Sequence, residues 1–355
     1  MNAPFPLCSE VISQVDLRDP GEVARIEGLV AAMPQGTAFH RPAWLRAVEQ
    51  GAGQRAIGLI AEKGGAITGW LPLTEVHSPL FGRALVSSGF AVGGGALAER
   101  EVTARRLCGV AEEVAQRRSC ASVELRGGYL PAHWQVIGGK HAGFSGPLAE
   151  DDEAQLNAIP RKQRAEVRKG LGNDLTVSVG REEADRAAHY ACYAESVRNL
   201  GTPVFPRSLF DAVLDLFGED ADILTVRHGG TPVASVLSLY HKGVVLPYWG
   251  GGGWAARGLR ASELMYYELM CHARRRGCEH FDFGRSKVDS GPYRFKKNWG
   301  FEPEPLTYAT WAAPGSEARN IDPTDAGYSA KIEAWKRLPL ALANRIGPHI
   351  ARGLG

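Results

Sequence analysis

Hydrophobic and polar positions follow the same order twice along this chain. Residues 39–48 and 205–213 each place a Phe, an Arg two positions later, and then an apolar helical segment that ends in Ala-Val. β-rich runs around glycine turns follow both segments and predict antiparallel hairpins. Both halves then continue in one order, with a glycine cluster (93–95 and 250–253), a helical pattern (99–118 and 261–277) and a strand (121–127 and 279–284). This shared order predicts a duplicated mixed α/β unit.

Composition narrows the class of protein. A length of 355 residues predicts about two domains, and the apolar and charged fractions are those of a globular protein in water. The net charge of +2 argues against a DNA-binding protein. The six cysteines form no CxxC pair, so we expect neither a metal site nor a disulfide framework. We see neither a signal peptide nor a membrane-spanning segment, and a cytoplasmic location is the simplest expectation.

The stretch from residue 281 to residue 306 carries an unusual mixture of side chains. An apolar run at 281–283 reads as a short buried strand that ends at Gly284. Five cations follow, interleaved with aromatic residues: Arg285, Lys287, Arg294, Lys296 and Lys297 among Tyr293, Phe295, Trp299 and Phe301. A core does not hold five unpaired cations, because burying an unpaired charge is costly. The stretch therefore predicts a strand end that opens into a polar site.

The glycine cluster at 250–253 precedes a second part of this predicted site. We expect Gly251, Gly252 and Gly253 to form a loop, and Ser262 to cap the helix that follows. Backbone N–H groups and the helix dipole at such a start bind a phosphate or a carboxylate. The alternative is a turn that only reverses the chain. The neighbouring basic strand end at Arg285 favours anion binding.

Three further groups have both a functional and a structural interpretation. Arg161, Arg164 and Arg168 share one face of a predicted helix, which indicates either anion binding or a solvated surface. Trp249 either lines an acyl pocket or belongs to the core. Asp282 lies within an apolar strand, where it either orients a cation or substrate amine or forms a buried ion pair. No histidine receives a catalytic role.

Several motifs resemble one acyltransferase family. The order of elements and the ending YRFKKNWGFEPEPLTY resemble the GNAT acyltransferase fold, and a tandem pair of such units resembles the FemAB (Fem/aminoacyltransferase) family. The motifs RKQRAEVRKG, YWGGG, FDFGRSK and FKKNWGFEPEPL look like FemAB-related proteins associated with exosortase (PEP-CTERM) and exopolysaccharide systems. The resemblance implies an α/β (α+β) tandem GNAT-like acyl-CoA N-acyltransferase fold with mixed sheets. We expect a first unit at 1–150, an acyltransferase unit at 151–311 and a helical tail at 312–355.

The resemblance also implies a reaction. It points to transfer of an acyl or aminoacyl group to an amine of a cell-envelope or exopolysaccharide precursor, with acyl-CoA or aminoacyl-tRNA as donor and no metal. Lys296 stands where the family's frequent tyrosine acid stands, and Ala255 stands where the GNAT pyrophosphate loop carries Gln or Arg. The predicted catalytic residues are Lys296, Tyr293 and Asp282. The predicted binding residues are Arg161, Arg164, Arg168, Trp249, Gly251, Gly252, Gly253, Ser262, Arg285, Lys297 and Trp299.

Two alternatives concern partners. The chain is alternatively a non-catalytic module that binds a phosphorylated or lipid-linked polysaccharide precursor, and tRNA contact is a weaker expectation at this net charge. The tail carries an apolar stripe with lysines and arginines around it: Ile332, Trp335, Leu338, Leu342 and Ile346. Such a helix either packs on its own protein or rests on the anionic inner membrane.

Overall fold

The structure is a computed structural model that describes residues 9–79, 81–319 and 326–355. In its described residues, the first part of the chain contains three long helices and seven strands. In chain order these elements are β1 (Val11–Val15), α1 (Pro20–Ala32), α2 (Pro42–Ala52), β2 (Arg55–Lys63), β3 (Ala66–Ser78), β4 (Gly82–Ser87), β5 (Leu97–Ala98), α3 (Glu101–Arg117), β6 (Ser122–Arg126) and β7 (Gln135–Pro147).

The second part is richer in helices. In chain order its elements are α4 (Asp152–Ala158), α5 (Arg161–Leu171), β8 (Thr176–Gly180), α6 (Glu183–Leu200), α7 (Arg207–Phe217), β9 (Ala221–His228), β10 (Thr231–His241), β11 (Val244–Gly252), α8 (Trp254–Leu259), α9 (Ala261–Arg275), β12 (His280–Asp282), β13 (Ser286–Lys287), α10 (Gly291–Asn298), β14 (Pro303–Ala312), α11 (Ala326–Lys336) and α12 (Leu340–Ala351).

Two compact units share the chain. Unit 1 comprises Met1–Ile137, Thr307–Asn320 and Gly353–Gly355. Its sheet has the order β1-β2-β3-β4-β6-β14. The strands from β1 to β4 are antiparallel, and the chain then crosses through α3 to place β6 parallel to β4. Leu107 of α3 packs on Leu71 and Leu73 of β3 in a closed apolar core.

Unit 2 comprises Gly138–Leu306 and Ile321–Arg352. Its sheet has the order β8-β9-β10-β11-β12-β7. The strands from β8 to β11 are antiparallel, and the chain crosses through α8 and α9 to place β12 parallel to β11. Met265 and Leu269 of α9 pack against Val236, Val245 and Phe281 of the sheet. Burial of each such side chain stabilises the fold by roughly 1.5–3 kcal/mol.

The two units repeat one topology, which confirms the predicted duplication. Each has an antiparallel run of four strands, a helical crossover, a parallel fifth strand and an antiparallel sixth. The predicted hairpin turns lie between β2 and β3 and between β9 and β10. The sixth strands are exchanged in sequence, because β7 completes the sheet of unit 2 and β14 completes the sheet of unit 1. The sequence pattern did not predict this exchange.

The predicted segment boundaries fall inside these units. Position 150 follows β7 within unit 2, and position 311 lies within β14. Residues 320–325 of the predicted tail lie outside the described residues. From residue 326 onward the tail forms two helices, where we expected one, because the chain bends at 337–339 and Pro339 precedes α12. Both helices pack on α6 or the segment that follows it: Ile332 faces Gly201, and Gly347 lies against Val204. Leu342 of the apolar stripe stays exposed.

Candidate functional site

The candidate site lies where β11 and β12 of unit 2 separate. These parallel strands are joined only at two residue pairs, Val244 with His280 and Val245 with Phe281. Beyond these pairs β11 continues along β10, whereas β12 continues along β7. Among the described residues the two strands pair no further, so their backbones separate beyond Val245 and Phe281. Since both strands run in one direction, their ends lie at one edge of the sheet.

A β-bulge in β11 borders this opening. Leu237 of β10 pairs with Trp249, and the next residue, Ser238, pairs with Pro247. Tyr248 is therefore an extra residue in β11. A bulge bends its strand and redirects the local backbone, which makes it a common device beside functional sites.

Lys296 ties helix α10 to the end of β12. Its side chain is only 8% exposed, and its Nζ donates to the backbone oxygens of Gly284 and Arg285, both at 3.0 Å. The rings of Phe144 and Phe283 lie 5.6 Å from the Nζ. Burial lowers the pKa of Lys296 to about 7, against the opposing effect of Asp282. Lys296 thus holds the loop at Gly284 and Arg285 in place through an amine whose pKa lies near neutral pH.

Asp282 shapes the same loop from the strand side. One carboxylate oxygen accepts from the backbone N–H of Gly284 at 2.8 Å. Gly284 has a φ of 71°, a conformation that favours glycine over residues with a side chain. Burial raises the pKa of Asp282, and the nearby Lys296 acts in the opposite direction. Burial thus pushes both members of this Lys–Asp pair toward their neutral forms.

The other predicted residues of this stretch have different environments. Tyr293 is half-buried, and its ring lies edge-on against Phe144 with centroids 5.2 Å apart. Arg285 is half-buried, whereas Lys297 is exposed. Lys296 and Lys297 are therefore neighbours in sequence with opposite environments.

Both predicted tryptophans are buried in aromatic clusters. Trp299 packs against Tyr266, Phe283 and Phe295. Trp249 packs against Phe210, with ring centroids 4.8 Å apart. Their environments match the core interpretation better than a role in lining the opening.

The glycine cluster is the end of strand β11, so the predicted loop at Gly251 and Gly252 is wrong. These residues pair with Ser235 and Ala234 of β10. A Cβ on Gly251 would lie 2.6 Å from the Cβ of Ser196 in α6, and one on Gly252 would lie 2.7 Å from the Cβ of Ala256. The glycines are needed because helices on both faces approach β11 closely.

The helix starts beyond the glycines also differ from the prediction. Gly253 is the N-cap of the six-residue helix α8, and the Glu195 carboxylate accepts from the Trp254 backbone N–H at 2.8 Å. Arg260, with a φ of 54°, is the N-cap of α9. The prediction that Ser262 caps this helix is therefore wrong, because Ser262 is its second residue. Glu195 was missed because it lies far away in sequence, on α6.

The basic segment forms helix α5, as predicted. Arg161 and Arg168 are exposed, and Arg164 is half-buried, with its guanidinium donating to Asn157 at 2.9 Å. Glu166 of this helix pairs with Arg260 at the start of α9. Helix α5 therefore packs beside the start of α9.

A separate polar groove lies near the other end of α9. Its volume is about 680 Å³, and none of the predicted site residues lines it. At its base the buried Asp222 carboxylate accepts from the Tyr240 hydroxyl at 2.8 Å and lies 2.8 Å from Nε2 of His272 and 3.3 Å from Nη1 of Arg276. These residues are far apart in sequence, so no local motif predicted that they form a cluster. Because the carboxylate is fully paired, the cluster joins β9, β10 and α9 structurally.

Comparisons with known proteins connect this geometry to one fold. Residues 157–297, less than half of the chain, match the family model described as Acetyltransferase (GNAT) domain. No curated protein matches the sequence significantly. The solved structure of FemX superposes with a TM-score of 0.63 at 14% identity, covering 84% of this chain and 96% of that chain.

Two further solved structures are similar. A tandem GNAT protein from the clavulanic acid biosynthesis pathway gives a TM-score of 0.57 at 13% identity, covering 87% of this chain and 100% of that chain. The C-terminal domain of a putative lysylphosphatidylglycerol synthetase from Agrobacterium fabrum gives 0.56 at 15% identity, covering 83% and 93%. Structural similarity at such low sequence identity establishes the fold alone. Together with the repeated topology, it shows that this chain has a tandem GNAT-like fold, and residues 157–297 match a GNAT acetyltransferase domain.

Proposed function

We propose that this protein is an N-acyltransferase that transfers an acyl or aminoacyl group to an amine of a cell-envelope or exopolysaccharide precursor. The observation that carries the proposal is the opening between β11 and β12, within the region that matches the GNAT acetyltransferase domain. The link to exosortase systems and polysaccharide rests on the sequence resemblance alone. It therefore remains part of the proposal.

The transfer needs little covalent chemistry from the protein. The acceptor nitrogen forms a bond to the acyl carbon, the bond from that carbon to the leaving group breaks, and a proton passes from nitrogen to the leaving group. Backbone N–H groups at the edges of diverging strands can stabilise the oxyanion of such a reaction. Holding amine and carbonyl together contributes further, because it removes the entropy cost of their encounter.

Lys296 and Asp282 support the site as positioning residues in this proposal. The Lys296 amine donates to the carbonyl oxygens of Gly284 and Arg285, and the Asp282 carboxylate accepts from the backbone N–H of Gly284. We assign proton transfer to Tyr293, because Lys296 stands at the position of the family's tyrosine acid and Tyr293 is a tyrosine three residues before it. Lys297 and the arginines Arg161, Arg164 and Arg168 remain candidates for contact with an anionic substrate, since Lys297, Arg161 and Arg168 are exposed.

The donor is the open part of the proposal. GNAT folds generally use acyl-CoA as donor. Here carboxylates occupy the helix starts at which its diphosphate would be expected, so the residues present do not fit that group, and no step is assigned to it. Aminoacyl-tRNA, our other expected donor, remains a prediction. The closed helix starts also favour the second candidate function, a non-catalytic module that binds a polysaccharide precursor.

We propose that the protein is located in the cytoplasm and that its tail contacts the inner membrane. Among the described residues no helix has the length and apolar character to cross a bilayer. The tail packs on unit 2, and Arg198 donates to the backbone oxygen of Lys336. Membrane contact would therefore use only the exposed part of the tail, such as Leu342.

One experiment separates the candidate functions. The purified protein is incubated with amine-bearing nucleotide sugars and a panel of acyl-CoAs and aminoacyl-tRNAs, and mass spectrometry detects an acylated product. We expect product with the wild type and with Lys63→Ala, which changes an exposed lysine of unit 1, and loss of product with Lys296→Ala. Urea denaturation checks that each variant is folded. Precursor binding without product from any donor would replace the enzyme with the binding module.

A further inference from the structure

We propose that Glu195 and Glu263 select the donor of unit 2 by excluding one that carries a diphosphate. This inference rests on the proposed acyl transfer and concerns the leaving group of its donor. The donor class it assigns is an activated acyl group whose leaving group brings no diphosphate to the starts of α8 and α9. Four observations support it.

The first observation is the position of the Glu195 carboxylate. It reaches from α6 to the start of α8, where one oxygen accepts from the backbone N–H of Trp254 at 2.8 Å. A Cβ on Gly253 would lie 2.7 Å from the other oxygen. The carboxylate therefore fills the space beside the first turn of α8. A phosphate at this place would have to displace a group that is itself negatively charged.

The second observation is a carboxylate at the next helix start. Glu263 lies in the first turn of α9, is half-buried, and accepts from its own backbone N–H. Arg260 precedes this turn with a φ of 54°, so the chain bends sharply between the two helices. Burial raises the pKa of Glu263, while its backbone hydrogen bond and Arg260 act in the opposite direction. Whatever its charge, this carboxyl group occupies the first turn, and an N–H group that would bind an anion is already used.

The third observation is the packing of the glycines. Gly250 approaches the Tyr266 hydroxyl, Gly251 approaches Ser196, and Gly252 approaches Ala256 and Ser262, all with less than 3.0 Å left for an added Cβ. A glycine cradle for a phosphate needs open space beside the backbone. Here side chains of the same protein fill that space.

The fourth observation concerns the neighbouring cations. The Arg260 guanidinium pairs with Glu166 at 2.6 Å and donates to the backbone oxygen of Arg257 at 3.0 Å. The Arg257 guanidinium lies over the exposed Trp254 ring, 4.9 Å from its centroid. Arg260, which is closest in sequence to the start of α9, is thus already paired with a carboxylate. Little positive charge is therefore left at these helix starts to offset an incoming diphosphate.

Binding of coenzyme A by calorimetry tests the inference without requiring turnover. Glu195→Gln and Glu263→Gln each replace a carboxyl group with an amide of similar size, and the amide oxygen of the first can still accept from Trp254. The control for Glu195 is Glu183→Gln, which changes another glutamate of α6. The control for Glu263 is Glu268→Gln, because Glu268 is a half-buried glutamate of the same helix α9 and burial raises its pKa too. Urea denaturation confirms that each variant is folded.

We expect weak binding of coenzyme A by the wild type and both controls, and binding at least about tenfold tighter by each test variant, since like charges within a few ångströms repel strongly at a protein surface. Tight binding by the wild type would overturn the inference, and so would test variants that bind no better than the controls. These results are independent of the transfer assay. Acyl transfer that uses a coenzyme A thioester efficiently would leave the proposed function intact and remove this inference.

Discussion

Replacing Lys296 with methionine tests whether this buried lysine is neutral in the folded protein. The pKa falls from 10.5 to about 7 on folding, with burial as the main cause. Between these two values the unfolded chain binds a proton that the folded chain lacks, so the stability of the wild type rises with pH. Below pH 7 both states are protonated and this contribution does not change with pH.

The expected magnitude follows from one proton. Each pH unit inside this window contributes about 1.4 kcal/mol to the free energy of unfolding. From about pH 7.5 to pH 9 the wild type should therefore gain roughly 2 kcal/mol relative to Lys296→Met, whose buried side chain does not titrate. Since the lysine is only 8% exposed, solvent screening reduces this figure little.

The assay is urea denaturation of both proteins across this pH range. Taking the difference between them cancels tyrosines and cysteines that titrate in the same window. Lys297→Met, an exposed neighbour, should follow the wild type at every pH. A difference between wild type and Lys296→Met that stays constant with pH would refute the reasoning. It would mean that the two carbonyl partners and Asp282 keep the amine protonated despite its burial.

Two further predictions concern packing and buried charge. Gly251→Ala should destabilise the protein by about 1–3 kcal/mol, because the new methyl group meets Ser196. Gly28→Ala in α1, where the space around the Cβ is open, should instead stabilise it by about 0.5–1 kcal/mol. Equal effects of the two substitutions in thermal unfolding would contradict this packing argument. Asp222→Ala should cost about 1–3 kcal/mol in urea denaturation, because it leaves the buried Tyr240 hydroxyl without its acceptor and removes the partner of His272 and Arg276. A loss below about 1 kcal/mol would show that the cluster is weakly coupled to the fold.

The sequence predicted those parts of the fold that depend on local pattern. The hairpin turns are local signals of glycine and alternating β-rich runs, and α3 and α9 show clear helical spacing. Their order was enough to predict two similar units. The exchange of β7 and β14 was not predicted, because pairing between distant strands depends on tertiary packing rather than on any local signal.

The candidate site was predicted less well, for two physical reasons. Gly251 and Gly252 suggested a loop, because glycine is common in loops, but here glycine permits close packing of helices on a strand. Lys296 belonged to a run of cations that suggested a surface. Its burial depends on two carbonyl groups and two aromatic rings that the fold brings together.

The exchanged sixth strands govern how the chain can be synthesised and divided. Trp311 of β14 pairs with Val123 of β6, more than half the chain earlier, so the sheet of unit 1 stays incomplete until nearly all of the protein has left the ribosome. Loops this long make folding slow, because their closure costs entropy before the strand pairing compensates for it. A fragment that begins at residue 151 would lack β7 and expose the edge of β12. An exposed strand edge promotes aggregation, because it can pair with a strand of another chain. Neither unit therefore corresponds to a continuous segment that a gene truncation can isolate.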